Sequence, residues 1–303
     1  MANKGALYMK NLNYADYKVF EIEDGVVVEG IKDFNLVHIF ECGQCFRWLK
    51  QSNGSYTGVV AGKNINMSYS YNKLTIKNTN KEDFEKIWYE YLDLGTDYSN
   101  IKYTLSKLDE HLAKAVEFGN GIRILRQDLW ETLISFIISA NNGIPRIMKT
   151  IEILSREYGN KLQDDVYSFP DINRFYELSV EALGVCKGGF RCKYIYNTAR
   201  VLKEGIVDIS ALKSMETNDA KMQLKKLPGV GPKVADCVLL FSGTKFDVFP
   251  TDVWVKRVME ELYFGREASF VEINAFADKH FGELKGYAQQ YLFYYARENK
   301  IGK

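Results

Sequence analysis

Leu227-Pro228-Gly229-Val230-Gly231-Pro232-Lys233, followed by Phe249-Pro250-Thr251-Asp252, whose aspartate stands nineteen residues beyond the lysine, is the stretch that organises this chain. Gly229 and Gly231 permit a tight turn and leave amide N–H groups unshielded. Pro232 suits the first position of a helix, where no N–H is needed, so Lys233 falls in that helix's first turn. Free amides and the helix dipole favour an anion there, which suits a phosphate and eases the use of an amine as a nucleophile. A helix from Pro232 to Phe241 is about 15 Å long, and ten extended residues span about 30 Å. The chain can therefore return beside that helix and start the next one near Lys233. Asp252 precedes Val253, Val255 and Val258, at the position of a helix N-cap. Taken alone, these residues are a phosphate-holding turn, a lysine at a helix start and a capping aspartate. An amine and a carboxylate at two neighbouring helix starts can also support nucleophilic chemistry.

Outward from this stretch the pattern is helical. Leu129, Leu133, Phe136, Ile137 and Ala140 lie on one helix face, and that helix should stop at Asn141-Asn142-Gly143 before Pro145. Ile151 and Leu154 continue the next helix. Further helices fit Val180 to Leu183, Lys193 to Leu202, Lys221 to Leu224, Val234 to Phe241, Val253 to Leu262 and Ala288 to Ala296. Residues 18 to 78 read instead as short strands: Val26 to Val28, Asn35 to Phe40, Cys45 to Leu49, Ser55 to Ala61, Ile65 to Tyr71 and Lys73 to Lys77. Glycines and the Asn53-Gly54 turn separate these runs. The expected fold class is α+β, with one antiparallel sheet domain over 12–115 and a larger helical region over 116–303.

The 303 residues suffice for a large core, and 46% hydrophobic with 26% charged is ordinary for a soluble protein. No apolar run approaches a membrane span, and Met1 to Lys10 has no apolar leader core. Five unevenly spaced cysteines favour a reducing intracellular compartment over a disulfide framework. Cys42 and Cys45 form a C-x-x-C, but Cys186 and Cys192 are six apart and give no second metal-spaced pair. His38, His111 and His280 are dispersed, so neither metal nor other cofactor is expected. The net charge of +1 is unevenly spread. Leu183 to Leu202 and Lys221 to Ala235 carry lysine and arginine without any acid, whereas residues 81 to 110 hold eight acids against four lysines. A polyanion would favour the basic segments.

Leu227 to Asp252 resembles the helix-hairpin-helix DNA glycosylases, whose Gly-Val-Gly hairpin leads to a downstream catalytic aspartate. Within that superfamily the chain is similar to the 8-oxoguanine DNA glycosylases through four further segments. They are Gly43-Gln44-Cys45-Phe46-Arg47-Trp48, Gly121 to Asp128, Ser139 to Arg146, and Gly286-Tyr287-Ala288-Gln289 with Phe293. The similarity is scattered from about residue 34 to 296, with the hairpin at about 221–241. The resemblance implies a TATA-binding-protein-like antiparallel sheet domain beside helical domains, with the site in the cleft between them. It also implies base flipping, because the reacting carbon is otherwise buried in the stack.

The resemblance assigns roles to residues. Lys233 would be the nucleophile that forms a Schiff base and so permits strand cleavage by β-elimination. Asp252 would position it and stabilise positive charge on the sugar. Gly43 would accept from the N7 hydrogen that oxidised guanine has and guanine lacks. Phe293 and Cys237 would sandwich the ring, and Gln289 would read its Watson–Crick edge. Asn141 would fill the vacated place in the duplex, Arg146 and Arg191 would read the estranged base, and Phe190 would act as a wedge. Gly229 and Gly231 would grip a phosphate, joined by Trp254. Four positions depart from the family pattern: Trp254 stands for a histidine, Phe190 for a tyrosine, and Gly143 and Pro145 differ beside Arg146. The expected partner is double-stranded DNA containing 8-oxoguanine, bound by a monomer and not at a membrane. Two readings compete: an alkylated-base glycosylase using Asp252 and water, and a non-catalytic DNA-binding protein. Neither gives Lys233 a role.

Overall fold

Buried residues alternate along Gly25–Glu29, Lys63–Ser70 and Lys73–Lys77 because each strand turns one face to a core. The computed structural model describes residues 16–302. Met1 to Lys10 and the first residues of the expected sheet domain, 12–15, lie outside the described residues. Six strands, β1 (Lys18–Ile22), β2 (Gly25–Glu29), β3 (Trp48–Lys50), β4 (Tyr56–Val60), β5 (Lys63–Ser70) and β6 (Lys73–Lys77), form a sheet of order β1-β2-β6-β5-β4-β3. All neighbours are antiparallel. The register pairs Val26 with Ile76, Val28 with Leu74 and Met67 with Ile76. These residues and Ile65 are fully buried. The helical turns that follow, Lys81–Asp83 and Phe84–Trp88, cover this core with Phe84 and Trp88.

Two of the expected strands differ. Asn35 to Phe40 is not a strand: Leu36–Phe40 is a short helix, with the Asn35 side chain accepting from the amides of Val37 and His38. Leu36, Ile39 and Phe40 stand at helical spacing and are the buried residues. The deciding contact is tertiary, since the Phe40 ring stacks at 4.0 Å on Trp48. Cys45 to Leu49 becomes strand only from Trp48 onward, because the residues before it form a fastened loop. Gly58 is required opposite Trp48, where a Cβ would stand 2.6 Å from the indole.

The expected helices are present with shifted ends: Leu129–Ser139, Ile144–Tyr158, Val180–Leu183, Arg191–Lys203, Thr217–Leu224, Pro232–Phe241, Val253–Met259 and Lys285–Asn299. The helix from Val253 passes into a wider π turn over Glu260–Phe264. The boundary expected between 115 and 116 falls inside the helix Glu110–Phe118. The buried residues of that helix, and of Tyr98–Ser106 before it, belong to the helical core.

Two side chains sew the sheet to the helices. Arg123, 1% exposed, donates to the carbonyls of Lys32, Asp33 and Asp93. Gln44, fully buried, donates to Ile39 and Arg123 and accepts from the Leu125 amide. Buried groups so fully paired fix one relative placement of the two parts.

Candidate active site

The hairpin takes the conformation its glycines imply. Gly229 has φ +82 and lies against Tyr194, whose ring carbons would be 2.7 Å from a Cβ there. Gly231 is the N-cap of Pro232–Phe241, with Pro232 in the first turn and no side-chain cap on the amides. The helix Arg191–Lys203 cushions the turn, and Thr198 Oγ1 donates to the Pro228 carbonyl at 3.2 Å. Lys221 in Thr217–Leu224 pairs with Asp236 in Pro232–Phe241 at 2.8 Å, clamping the two helices together. Burial still holds the Asp236 carboxyl above its ordinary pKa, against the pull of Lys221.

Asp252 is an N-cap as expected. Its Oδ1 accepts from the Val255 amide at 2.8 Å. The chain after Phe241 does return, and one cavity of about 150 Å³ is lined by both Lys233 and Asp252. Such a volume is several times that of one water. The same cavity is lined by Gly43, Cys237, Gln289 and Phe293. These six residues come from the loop after the first helix, the hairpin helix, the following helix start and the final helix.

The electrostatics within the cavity are uneven. The Lys233 Nζ lies 5.4 Å from the Phe136 ring centroid, a cation–π approach. Burial pushes the Cys237 thiol up to about 11, against the pull of Lys233. Cys237 is therefore a neutral, polarisable surface at physiological pH. Gln289 is buried and its Oε1 has no hydrogen-bond partner among the described residues. Leaving such a group unpaired costs about 1–3 kcal/mol, so a donor that enters the cavity gains that contact. The Phe293 ring lies edge-on to Trp254 with centroids 5.0 Å apart. A Cβ on Gly43, whose φ is +90, would stand 3.2 Å from Phe293 Cε1.

The remaining expected residues lie outside the cavity lining. Asn141 is exposed, with φ +50, directly after the helix Leu129–Ser139. A left-handed asparagine is tolerated but must be held. Arg191 holds it: the buried guanidinium donates to the carbonyls of Ala140 and Asn141, and to Gly188. Burial and the neighbouring Arg146 push the Arg191 pKa below its ordinary value. Arg191 thus props the loop from beneath, while Arg146 is exposed. Phe190 is 58% exposed, with its ring 4.5 Å from the Arg191 guanidinium and edge-on to Tyr194.

Several contributors escape a sequence reading. Phe136 enters only as a core residue of a periodic helix, although its ring underlies Lys233. Gln290 lines the cavity and donates to the Cys42 carbonyl at 3.1 Å. Its one available signal is its place beside Gln289. All five cysteines are free and buried. Cys42 and Cys45 donate to the carbonyls of Ile39 and Phe40. Among the described residues no helix is long and apolar enough to cross a membrane.

The chain is similar to known proteins in sequence and in fold. The family model for the 8-oxoguanine DNA glycosylase N-terminal domain matches residues 26–133. A probable N-glycosylase/DNA lyase of Methanothermobacter thermautotrophicus is 34% identical over 240 residues, which covers 72% of this chain and 76% of that protein. The N-glycosylase/DNA lyase of Saccharomyces cerevisiae is 30% identical over 262 residues, covering 75% and 68%. Among solved structures, the 8-oxoguanine glycosylase/lyase of Clostridium acetobutylicum superimposes with a TM-score of 0.91 at 45% identity. That match covers 94% of this chain and 100% of the other, which was solved with double-stranded DNA containing cytosine opposite to 8-oxoG.

Proposed function

The chain belongs to the 8-oxoguanine DNA glycosylase family, and from that membership and the cavity we propose that it excises 8-oxoguanine from duplex DNA and then cleaves the abasic strand. The observation that carries the reading is a single cavity. It gathers Lys233, Asp252, Cys237, Phe293 and Gly43 with Gln289, whose buried amide oxygen has no partner among the described residues.

The Lys233 amine attacks the anomeric carbon of the flipped nucleotide as the bond to the base breaks. The attacking amine gives up a proton, and the C1′–O4′ bond opens with O4′ taking a proton. The resulting protonated imine acidifies the adjacent carbon, whose deprotonation expels the 3′ phosphate. Asp252 spends one oxygen on the Val255 amide, which fixes the carboxylate where positive charge develops on the sugar. The lesion ring lies between the Cys237 sulfur and Phe293, and Gln289 meets its Watson–Crick edge. The Gly43 carbonyl accepts from the N7 hydrogen. Unmodified guanine presents an acceptor there, and two facing acceptors cost about 1–3 kcal/mol. The amides at Gly229 to Gly231 take a backbone phosphate, and Asn141 with Phe190 occupies the gap left in the duplex. The protein acts inside the cell, where its DNA substrate lies.

Borohydride trapping on a duplex with one 8-oxoguanine tests the reading. A covalent adduct forms with the intact protein and is lost in Lys233→Gln. An intact protein that excises the base without trapping would remove the lysine mechanism and restore the water-dependent reading.

A further inference from the structure

Three consecutive carbonyls lie in the loop after the first helix, and two of them are fastened to the final helix. Arg297 Nη2 donates to the Glu41 carbonyl, and Gln290 Nε2 donates to the Cys42 carbonyl at 3.1 Å. No described residue donates a hydrogen bond to the third carbonyl, that of Gly43, a residue of the cavity lining. Gln290, Phe293 and Arg297 stand at i, i+3 and i+7, on one face of Lys285–Asn299. The Arg297 guanidinium is 5.8 Å from the Phe293 ring and 5.5 Å from that of Tyr294. Its Nη1 stands 3.5 Å from the point a Gly43 Cβ would occupy. Glu298 receives its Nε at 2.9 Å, so the fork is held from both ends. From the sheet side, Tyr56 and Lys50 hold the Glu41 carboxylate.

We propose that Gln290 and Arg297 are positioning residues that aim the Gly43 carbonyl and thereby set the discrimination between oxidised and unmodified guanine. This rests on the substrate reading above. With φ +90 the peptide after Gly43 has a conformation that the loop does not hold by itself. Gln290 and Arg297 pin the two carbonyls before Gly43, and the buried bonds of Gln44 hold the residue after it, so the Gly43 peptide is anchored on both sides against swinging its carbonyl away from the base. A carbonyl placed in advance gains the lesion's hydrogen without an ordering cost and repels guanine without relaxing.

The test uses Arg297→Met and Gln290→Met, which keep a side chain of similar length and remove the donors. Single-turnover excision of 8-oxoguanine slows about tenfold in each, and the rate ratio over unmodified guanine shrinks. Elimination on duplex with a preformed abasic site, which needs no base contact, stays within about twofold of the intact protein. Arg297→Lys recovers part of the loss. Amide hydrogen exchange over residues 41–45 rises in both Met variants. Equal losses of excision and elimination, or unchanged excision, would overturn the role in specificity. Unchanged exchange would overturn the clasp itself, whatever the substrate. An intact protein that leaves 8-oxoguanine in place would instead refute the substrate reading, and exchange alone then decides the clasp.

Discussion

The cavity and the rim beside it are built on opposite plans. In the cavity the groups proposed to act are partly or fully buried, and each is fixed by its backbone: Lys233 by the hairpin, Asp252 by its own capping bond, Gly43 by a pinned loop. At the rim the side chains proposed to meet the duplex are exposed, and the backbone beneath them is what is fixed. Asn141 and Phe190 project from a loop and a helix start that the buried Arg191 ties together. The difference follows from what each must meet. On the proposed function, a single base arrives in one orientation and is read by groups that must not move. A duplex arrives with its own shape, and side chains that fill or wedge it need only a firm base.

The largest effect should come from the cavity's amine. Lys233→Gln should lower excision by on the order of a thousandfold or more in single-turnover assays while duplex binding persists. If binding is lost as well, the division between cavity and rim fails. Gly43→Ala comes next. It puts a side chain at φ +90 and 3.2 Å from Phe293, a strain of about 1–3 kcal/mol. Excision should fall about 10- to 100-fold, with abasic-site elimination far less affected.

At the rim, Arg191→Met removes every donor to Ala140 and Asn141. It should destabilise the protein by about 1–3 kcal/mol, read as a lower denaturation midpoint, and slow excision from duplex. The opposite base should matter less than the lesion. Arg191 is engaged with backbone carbonyls, and Phe190 has no hydroxyl to offer. Rates opposite the four bases should stay within about tenfold, and a strong preference for cytosine would show that Arg146 alone suffices.

The smallest effect belongs to the seam behind the cavity. His38 Nδ1 accepts from the Gly121 amide at 3.2 Å, and burial lowers its pKa below the ordinary 6.5. A histidine that folds in its neutral form contributes stability that is present above the unfolded pKa. That stability is lost as pH falls through the folded pKa. The denaturation midpoint should decline below about pH 6.5, and His38→Asn should flatten part of that decline.

Much of this was legible in the sequence, for reasons that differ from residue to residue. Gly229, Gly231, Pro232 and Asp252 act through backbone rules that hold wherever they occur, so their conformations were readable. The periodic helix from Leu129 announced itself and its stop at Asn141. The run Asn35 to Phe40 did not, because its apolar spacing fits a strand or a helix and Trp48, stacked on Phe40 from eight residues further on, settles the matter. Arg191 sits in a motif that implies contact with a base, yet its depth and its backbone partners depend on the loop above it.

What the sequence determined by itself was local: a left-handed glycine, a proline at a helix start, a capping carboxylate and an amine two residues past a turn. Each follows from the covalent geometry of one residue and its near neighbours. Only the tertiary structure decided that Gly43, from the sheet side, should share a cavity with Lys233 and Phe293. That meeting depends on Gln44, Arg123, Gln290 and Arg297 pairing across 79 to 256 positions of chain, and no local pattern specifies contacts that only a folded interior can satisfy.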